Sequence, residues 1–262
     1  MLKHRVIPAL LLRNNGLVKT TRFQYPKYVG DPINVIRIFN EKEVDELMLL
    51  DITASKENRE PNYGLIEQIA GECFMPLTYG GGIRTLEQAQ RIYALGVEKI
   101  CLQTAALENS NFISSMSERF GTQSVMVSID VKRNWFGRTQ LYSSAKGRLI
   151  DCDWLEKALE LVAAGAGEIL LNVVDKDGTF QGPDLALIKQ LSRSIDVPLI
   201  AIGGVSSLGD IKAAITAGAS AVAAGAFFVY HGPHRAVLIT YPKYSELEAL
   251  LKQTDNISIK SK

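Results

Sequence analysis

The chain has no excess of either charge: 29 lysines and arginines stand against 28 aspartates and glutamates, a formal net of +1 over 262 residues. That balance provides no global field for nucleic acid or an anionic membrane, so any anion site has to be local. Cysteine is scarce as well. Cys73, Cys101 and Cys152 form no spaced motif and have no histidine at ligand spacing, which argues against a disulfide framework or a metal site and for packing roles. No apolar run reaches the length of a membrane-spanning helix, and the opening MLKHRVIPALLLRNN puts charge where a secretory leader needs an unbroken hydrophobic stretch. These absences predict a cytoplasmic protein that engages neither nucleic acid nor membrane and needs no metal or resident cofactor.

What the chain does have is apolar residues, 47% of the total, dealt out in short runs. Runs rich in Val, Ile and Leu recur at Arg5–Leu11, Glu46–Asp51, Met75–Tyr79, Lys99–Gln103, Val125–Asp130, Glu168–Val173, Val197–Ile202 and Ala221–Ala226. Their composition is that of parallel strands buried on both faces. Helical stretches such as TLEQAQRIYALG and DWLEKALELVAAG lie between them and close on a glycine suited to a left-handed cap. Eight strand–helix units predict an α/β fold, a (β/α)₈ TIM barrel, as one domain over residues 1–262. LTYGGGI at 77–83 returns as IAIGGVS at 200–206, about 120 residues on, which predicts an internal twofold half-barrel repeat.

Barrel ligands bind at the C-terminal ends of the strands. There, Gly80, Gly81 and Gly82 leave backbone amides bare after strand three, and Gln103 and Thr104 follow strand four, a set suited to one phosphate. Gly178, Gly203, Gly204 and Gly225, with Ala226, form a matching set for a second phosphate. The expected ligand is a phosphorylated small molecule with an anion at each end. At the other end of the strands, Arg5 shares parity with Leu11, Lys99 with Gln103 and Glu168 with Asn172, while Glu46 opens strand two. Four charges therefore point into the barrel floor, where they have to pair with one another, either as a structural cluster or as a working device.

One asymmetry stands out when the half-barrels are laid together. VIPALLLRNN and MVSIDVKRNW align without a gap, and Leu11 falls opposite Asp130. One of two equivalent strands ends in a carboxylate and the other in leucine.

The blocks RVIP, VDEL with LDITAS, YGGGI, VEKI with TAA, FG and QSV with IDVKR, GAGEILL and DGT give the chain, over nearly its whole length, a resemblance to the cyclase subunit of imidazole glycerol phosphate synthase. The resemblance implies a barrel that receives ammonia from a glutaminase partner and attacks a bisphosphorylated ribulosyl substrate, closing an imidazole ring. It implies an acid–base pair of aspartates at the ends of strands one and five, of which this chain keeps only Asp130. Loss of one such group typically slows a reaction by about 10²- to 10⁴-fold. Gln103 stands where the family has Asn, and Ala226 where it has a phosphate-donating Ser. The resemblance also makes Arg5, Glu46, Lys99 and Glu168 the charged gate through which ammonia enters from a glutaminase on the N-terminal face. FQYPKYVGDPINVIRIF and HGPHRAVLITYP further resemble a divergent branch of the family found in acetamidino-sugar pathways. In that branch a third, ATP-using amidotransferase converts an N-acetyl group on a nucleotide sugar to an amidine for surface polysaccharide. His231 and His234, in the terminal segment, read as packing or surface residues. Three readings stay open: an ammonia-handling subunit of that branch, a genuine cyclase of histidine biosynthesis with Asp51 or Asp175 in place of the missing acid, and a non-catalytic activator of the glutaminase.

Overall fold

Eight short apolar segments pair edge to edge into a closed parallel barrel in the computed structural model, which describes residues 4–258. The strands are β1 (Arg5–Arg13), β2 (Leu47–Asp51), β3 (Leu77–Gly80), β4 (Lys99–Leu102), β5 (Val125–Arg133), β6 (Glu168–Val173), β7 (Leu199–Ile202) and β8 (Ala221–Ala224). Each pairs with its sequence neighbour, and Ile7 opposite Ala223 closes β1 on β8. Helices Pro32–Glu41, Tyr63–Glu72, Leu86–Ala94, Ser110–Phe120, Trp154–Ala163, Leu185–Ser192, Leu208–Thr216 and Tyr244–Ser258 follow the strands in turn. The expected domain over 1–262 extends at both ends beyond the described residues.

Alternation along the strands builds two cores. Outward residues such as Leu10, Leu49, Tyr79 and Ile100 pack under the helices, while Ile7, Ala9, Met48, Cys101, Met126, Leu170, Ile200, Ala221 and Ala223 fill the barrel interior. Helix starts are written locally: Thr85 with Gln88, and Ser207 with Asp210, form capping boxes at corresponding positions in the two halves of the chain.

The structure departs from the sequence reading at the strand ends. β2, β3 and β7 begin one or two residues late, the last two after Pro76 and Pro198, which have no N–H for a strand ladder. The runs expected to end at Gln103 and Ala226 stop sooner, because Thr104–Glu108 and Ala226–Val229 are short helices. β1 instead runs on past Leu11 to Arg13. Asn14 and Asn15, at φ of 49° and 64°, then reverse the chain into Gly16–Thr21, which pairs back on β1 and onward with Gln24–Gly30. β5 likewise continues into a second hairpin with Thr139–Ser143 and Arg148–Ile150. Both hairpins rise over the C-terminal mouth. The packing role expected of the cysteines holds for Cys101 inside the barrel, whereas Cys73 is half-buried and Cys152 exposed. Among the described residues no helix is long and apolar enough to cross a membrane.

Candidate functional site

The floor of the barrel is closed by four charges from four strand starts. Arg5 hydrogen-bonds Glu46 at 2.5 Å and also pairs with Glu168. Lys99 Nζ lies 3.3 Å from Glu46 Oε1 and 3.1 Å from Glu168 Oε2. Each cation touches both anions, so the ring is neutral, and Thr78 adds a hydroxyl to Glu46 at 3.0 Å. Burial opposes the Arg5 charge, yet the Glu168 and Glu46 carboxylates together hold its guanidinium above the usual arginine value. Both glutamates are buried, while Arg5 and Lys99 keep part of their side chains exposed below them.

Above the ring lies the apolar interior, and above that a cavity of about 140 Å³ lined by Leu11, Leu50, Cys101, Ser128, Asp130, Asn172 and Ile202. Its roof is the two hairpins, which meet where Phe23 and Tyr142 pack edge to face at 6.1 Å. Asp130 is buried at the end of β5. Ser128, two residues back on the same face, donates to its Oδ1 at 2.7 Å, and Gln103 Nε2 donates to its Oδ2 at 2.7 Å. Burial pushes the Asp130 carboxyl up to about 7; the Asp177 charge adds to that, and hydrogen bonds from Ser128 and Asn172 oppose it. A carboxyl poised there exchanges protons at neutral pH. Leu11, on the opposite side, forms apolar wall and pairs with Leu50 and Val18.

Neither expected stand-in for the missing acid is free. Asp51 Oδ1 accepts from the Thr53 N–H and hydroxyl, both at 2.9 Å, and from the Ala54 N–H at 3.0 Å, with Arg59 3.6 Å from its other oxygen. Asp175 accepts the Arg133 N–H at 2.7 Å. Gln103, expected at the first phosphate, spends both ends of its amide elsewhere. Its Nε2 reaches Asp130 and the Tyr142 carbonyl, and its Oε1 accepts from the Ser144 hydroxyl at 2.6 Å, so it ties Asp130 to the second hairpin. Thr104 lines the mouth beside it. His231 and His234 are exposed on the terminal hairpin.

The glycines fall in two groups at the mouth. Gly80, Gly81 and Gly82 turn the chain out of β3, and Gly81, at φ 125°, has no room for a side chain because a Cβ would stand 2.5 Å from the Asp51 carbonyl. The Gly82 N–H already donates to the Ser55 hydroxyl at 3.1 Å. Gly178, Gly203, Gly204, Gly225 and Ala226 line a second, smaller cavity of about 20 Å³ with Lys19 at its wall. Gly178 and Gly225 are where the first hairpin comes down: a Cβ on either would collide with Thr20 or with the Lys19 ammonium.

Lys19, Ser128 and Asp177 are site residues that the sequence reading missed, and Asn172 entered it only for strand parity. Asp177 pins the first hairpin, accepting the Thr20 hydroxyl at 2.6 Å and the Phe23 N–H at 3.1 Å. Lys19 is 5% exposed, and among the described residues no hydrogen bond or ion pair reaches its ammonium. Burial lowers its pKa, with the Asp177 charge opposing. A buried amine that faces both cavities, with no ion pair and only the Asp177 charge acting on it, holds its proton most readily beside an incoming anion. The Asn14–Asn15–Gly16 turn signal points to this hairpin, and the period of two from Asp130 points to Ser128.

Comparison with known proteins places this geometry among relatives. The sequence profile of the family described as "Histidine biosynthesis protein" matches residues 5–234. A Pseudomonas aeruginosa protein named "Putative imidazole glycerol phosphate synthase subunit hisF2" is 53% identical over 249 residues, covering 95% of this chain and 99% of its own. A Leptospira borgpetersenii protein with the same qualifier in its name is 49% identical over 252 residues, covering 95% and 99%. The Exiguobacterium sibiricum "Imidazole glycerol phosphate synthase subunit HisF", named without that qualifier, is 40% identical over 231 residues, covering 87% and 91%.

Proposed function

The chain belongs to the family of histidine biosynthesis proteins, and from that premise we propose that it is the ammonia-handling barrel subunit of a glutamine-dependent amidotransferase complex. A glutaminase docks on the N-terminal face and delivers ammonia through the ring of Arg5, Glu46, Lys99 and Glu168. The observation that carries this reading is the contrast between a complete charged floor and a mouth in which Leu11 removes one of two proton-transfer groups. Between them the interior is apolar, which favours neutral NH₃ over ammonium because an unpaired charge there loses its hydration. Passage needs the ring to part, and Lys99, whose contacts to Glu46 and Glu168 are longer than those of Arg5, is the member that swings.

At the mouth, Asp130 alone handles protons. Ring closure with elimination requires transfer on both sides of a substrate, so the cyclase reaction is lost and ammonia moves on. In this reading a third, ATP-using amidotransferase activates an N-acetyl oxygen on a nucleotide sugar, and ammonia displaces it to leave the amidine of a surface polysaccharide precursor. The lower identity, 40%, to the relative named without a qualifier supports a separate branch. We also read the paired glycine turns and paired capping boxes as marks of a half-barrel repeat, and the cradle beside Lys19 as a phosphate seat. The protein acts as one domain in the cytoplasm.

Reconstitution tests the reading. Mixing the chain with its glutaminase is expected to raise glutamate release, and adding the third enzyme with its sugar is expected to yield amidine in step with glutamine consumed. Imidazole formation from the ribulosyl substrate at the rate of an ordinary cyclase would overturn it.

A further inference from the structure

The phosphate seat proposed beside Lys19 does not end at its own wall. Phe180 belongs both to that small cavity and to an outer cleft of about 410 Å³, whose other walls include Phe227, Tyr230 and Arg235. The cleft exists because the chain after β8 folds back as a hairpin, Tyr230–His231 against Ala236–Val237. We propose that this cleft seats the base of a nucleotide whose phosphate rests on the cradle of Gly178, Gly203 and Gly204 beside Lys19. The proposal rests on the anion reading of that cradle and adds the class of ligand.

Three observations carry it. First, the cleft is walled by aromatic rings, and the Arg235 guanidinium lies 5.0 Å from the Phe180 centroid, an arrangement that stacks on a planar π-system. Second, Phe180 (φ 59°) and Arg235 (φ 51°) both sit in the left-handed region, which side-chain-bearing residues avoid, and their side chains meet at the wall of the cleft. Both side chains are thereby fixed in direction by the backbone that carries them. Third, the polar groups suit a nucleotide better than a sugar. Ser206 and Thr240 offer hydroxyls, and no carboxylate or side-chain amide of the kind that holds sugar hydroxyls lines the cleft. Neither Arg235 nor Lys19 forms an ion pair among the described residues, so two basic side chains lie along one path from cradle to cleft.

Calorimetric titration of the full chain with uridine 5′-diphosphate, adenosine 5′-diphosphate, and pyrophosphate alone tests this. At least one nucleotide is expected to bind ten-fold or more tightly than pyrophosphate. Phe180→Gly and Arg235→Gly, which keep the left-handed backbone permissible, are expected to bring that nucleotide back to the pyrophosphate level without moving pyrophosphate itself. Lys19→Ala is expected to weaken both by ten-fold or more. Nucleotides that bind no better than pyrophosphate overturn the cleft and leave the cradle standing. Nucleotide binding that ignores Lys19→Ala overturns the placement of the phosphate, and no binding by any probe overturns cradle and cleft together. Melting curves of the glycine variants matching the parent exclude a folding defect.

Discussion

The floor and the mouth of this barrel hold similar numbers of buried charges and treat them in opposite ways. At the floor, Arg5 and Lys99 each meet both Glu46 and Glu168, and the ring is complete within the chain. At the mouth, Lys19 is buried with no ion pair or hydrogen bond among the described residues and only the Asp177 charge acting on it, and burial raises the Asp130 carboxyl to about 7. Charges that satisfy one another have a job inside the protein, whether as support or as a gate. Charges left short are kept for something that arrives from outside, because a folded chain tolerates an unpaired buried ion only at a cost.

The comparison breaks most visibly at the ring. Glu168→Ala leaves Arg5 and Lys99 competing for Glu46, and breaking a buried pair costs about 3–5 kcal/mol, so a large fall in melting temperature is expected. Lys99→Ala, whose side chain is partly exposed, is expected to fold better and to uncouple: glutamine hydrolysis continues while amidine formed per glutamine consumed drops. Full coupling in a folded Lys99→Ala protein would make the ring purely structural. At the mouth, wild-type turnover of the ribulosyl bisphosphate with free ammonia is expected to fall at least about 10²-fold below an ordinary cyclase, and Leu11→Asp to restore a trace of it. Turnover within about tenfold of an ordinary cyclase refutes the assignment of Leu11.

The smallest effect concerns pH. The Asp130 carboxyl is raised from 3.8 to about 7 in the folded chain. Between those values the native state holds a proton that the unfolded state releases, so the contribution of Asp130 to stability is fully present below about pH 4, declines as pH rises toward 7, and is gone beyond. The slope is at most about 1.4 kcal/mol per pH unit. Asp130→Asn has nothing to titrate, and its amide can take the orientation in which its oxygen accepts from Gln103 Nε2 and its NH₂ donates to the Ser128 hydroxyl. The variant is therefore expected to gain on the parent as pH rises from 5 to 8 in chemical denaturation. A difference that stays constant across that range would place Asp130 in contact with water.

Legibility varied with the range of the interaction. The eight strands, the helices and the inward set at the floor follow from short-range rules, apolar runs and a period of two, which operate over a few residues. Lys19 was hidden because Gly16–Gly30 contains no apolar run; its strands exist because Asn14 and Asn15 turn the chain back onto β1. Gln103 read as a phosphate donor from its position after β4, but Asp130 and the second hairpin, arriving from some forty residues away, engage its amide.

The sequence by itself determined the barrel, the leucine that stands opposite Asp130, and which four charges share one layer, since strand parity is a property of the local backbone. Only the tertiary structure decided that Glu46 and Glu168 each serve two cations, that Asp51 and Asp175 are engaged as loop acceptors, and that Lys19 lies buried with no ion pair among the described residues. Those facts depend on where hairpins and loops from distant parts of the chain come to rest, because pairing and desolvation are set by neighbours in space.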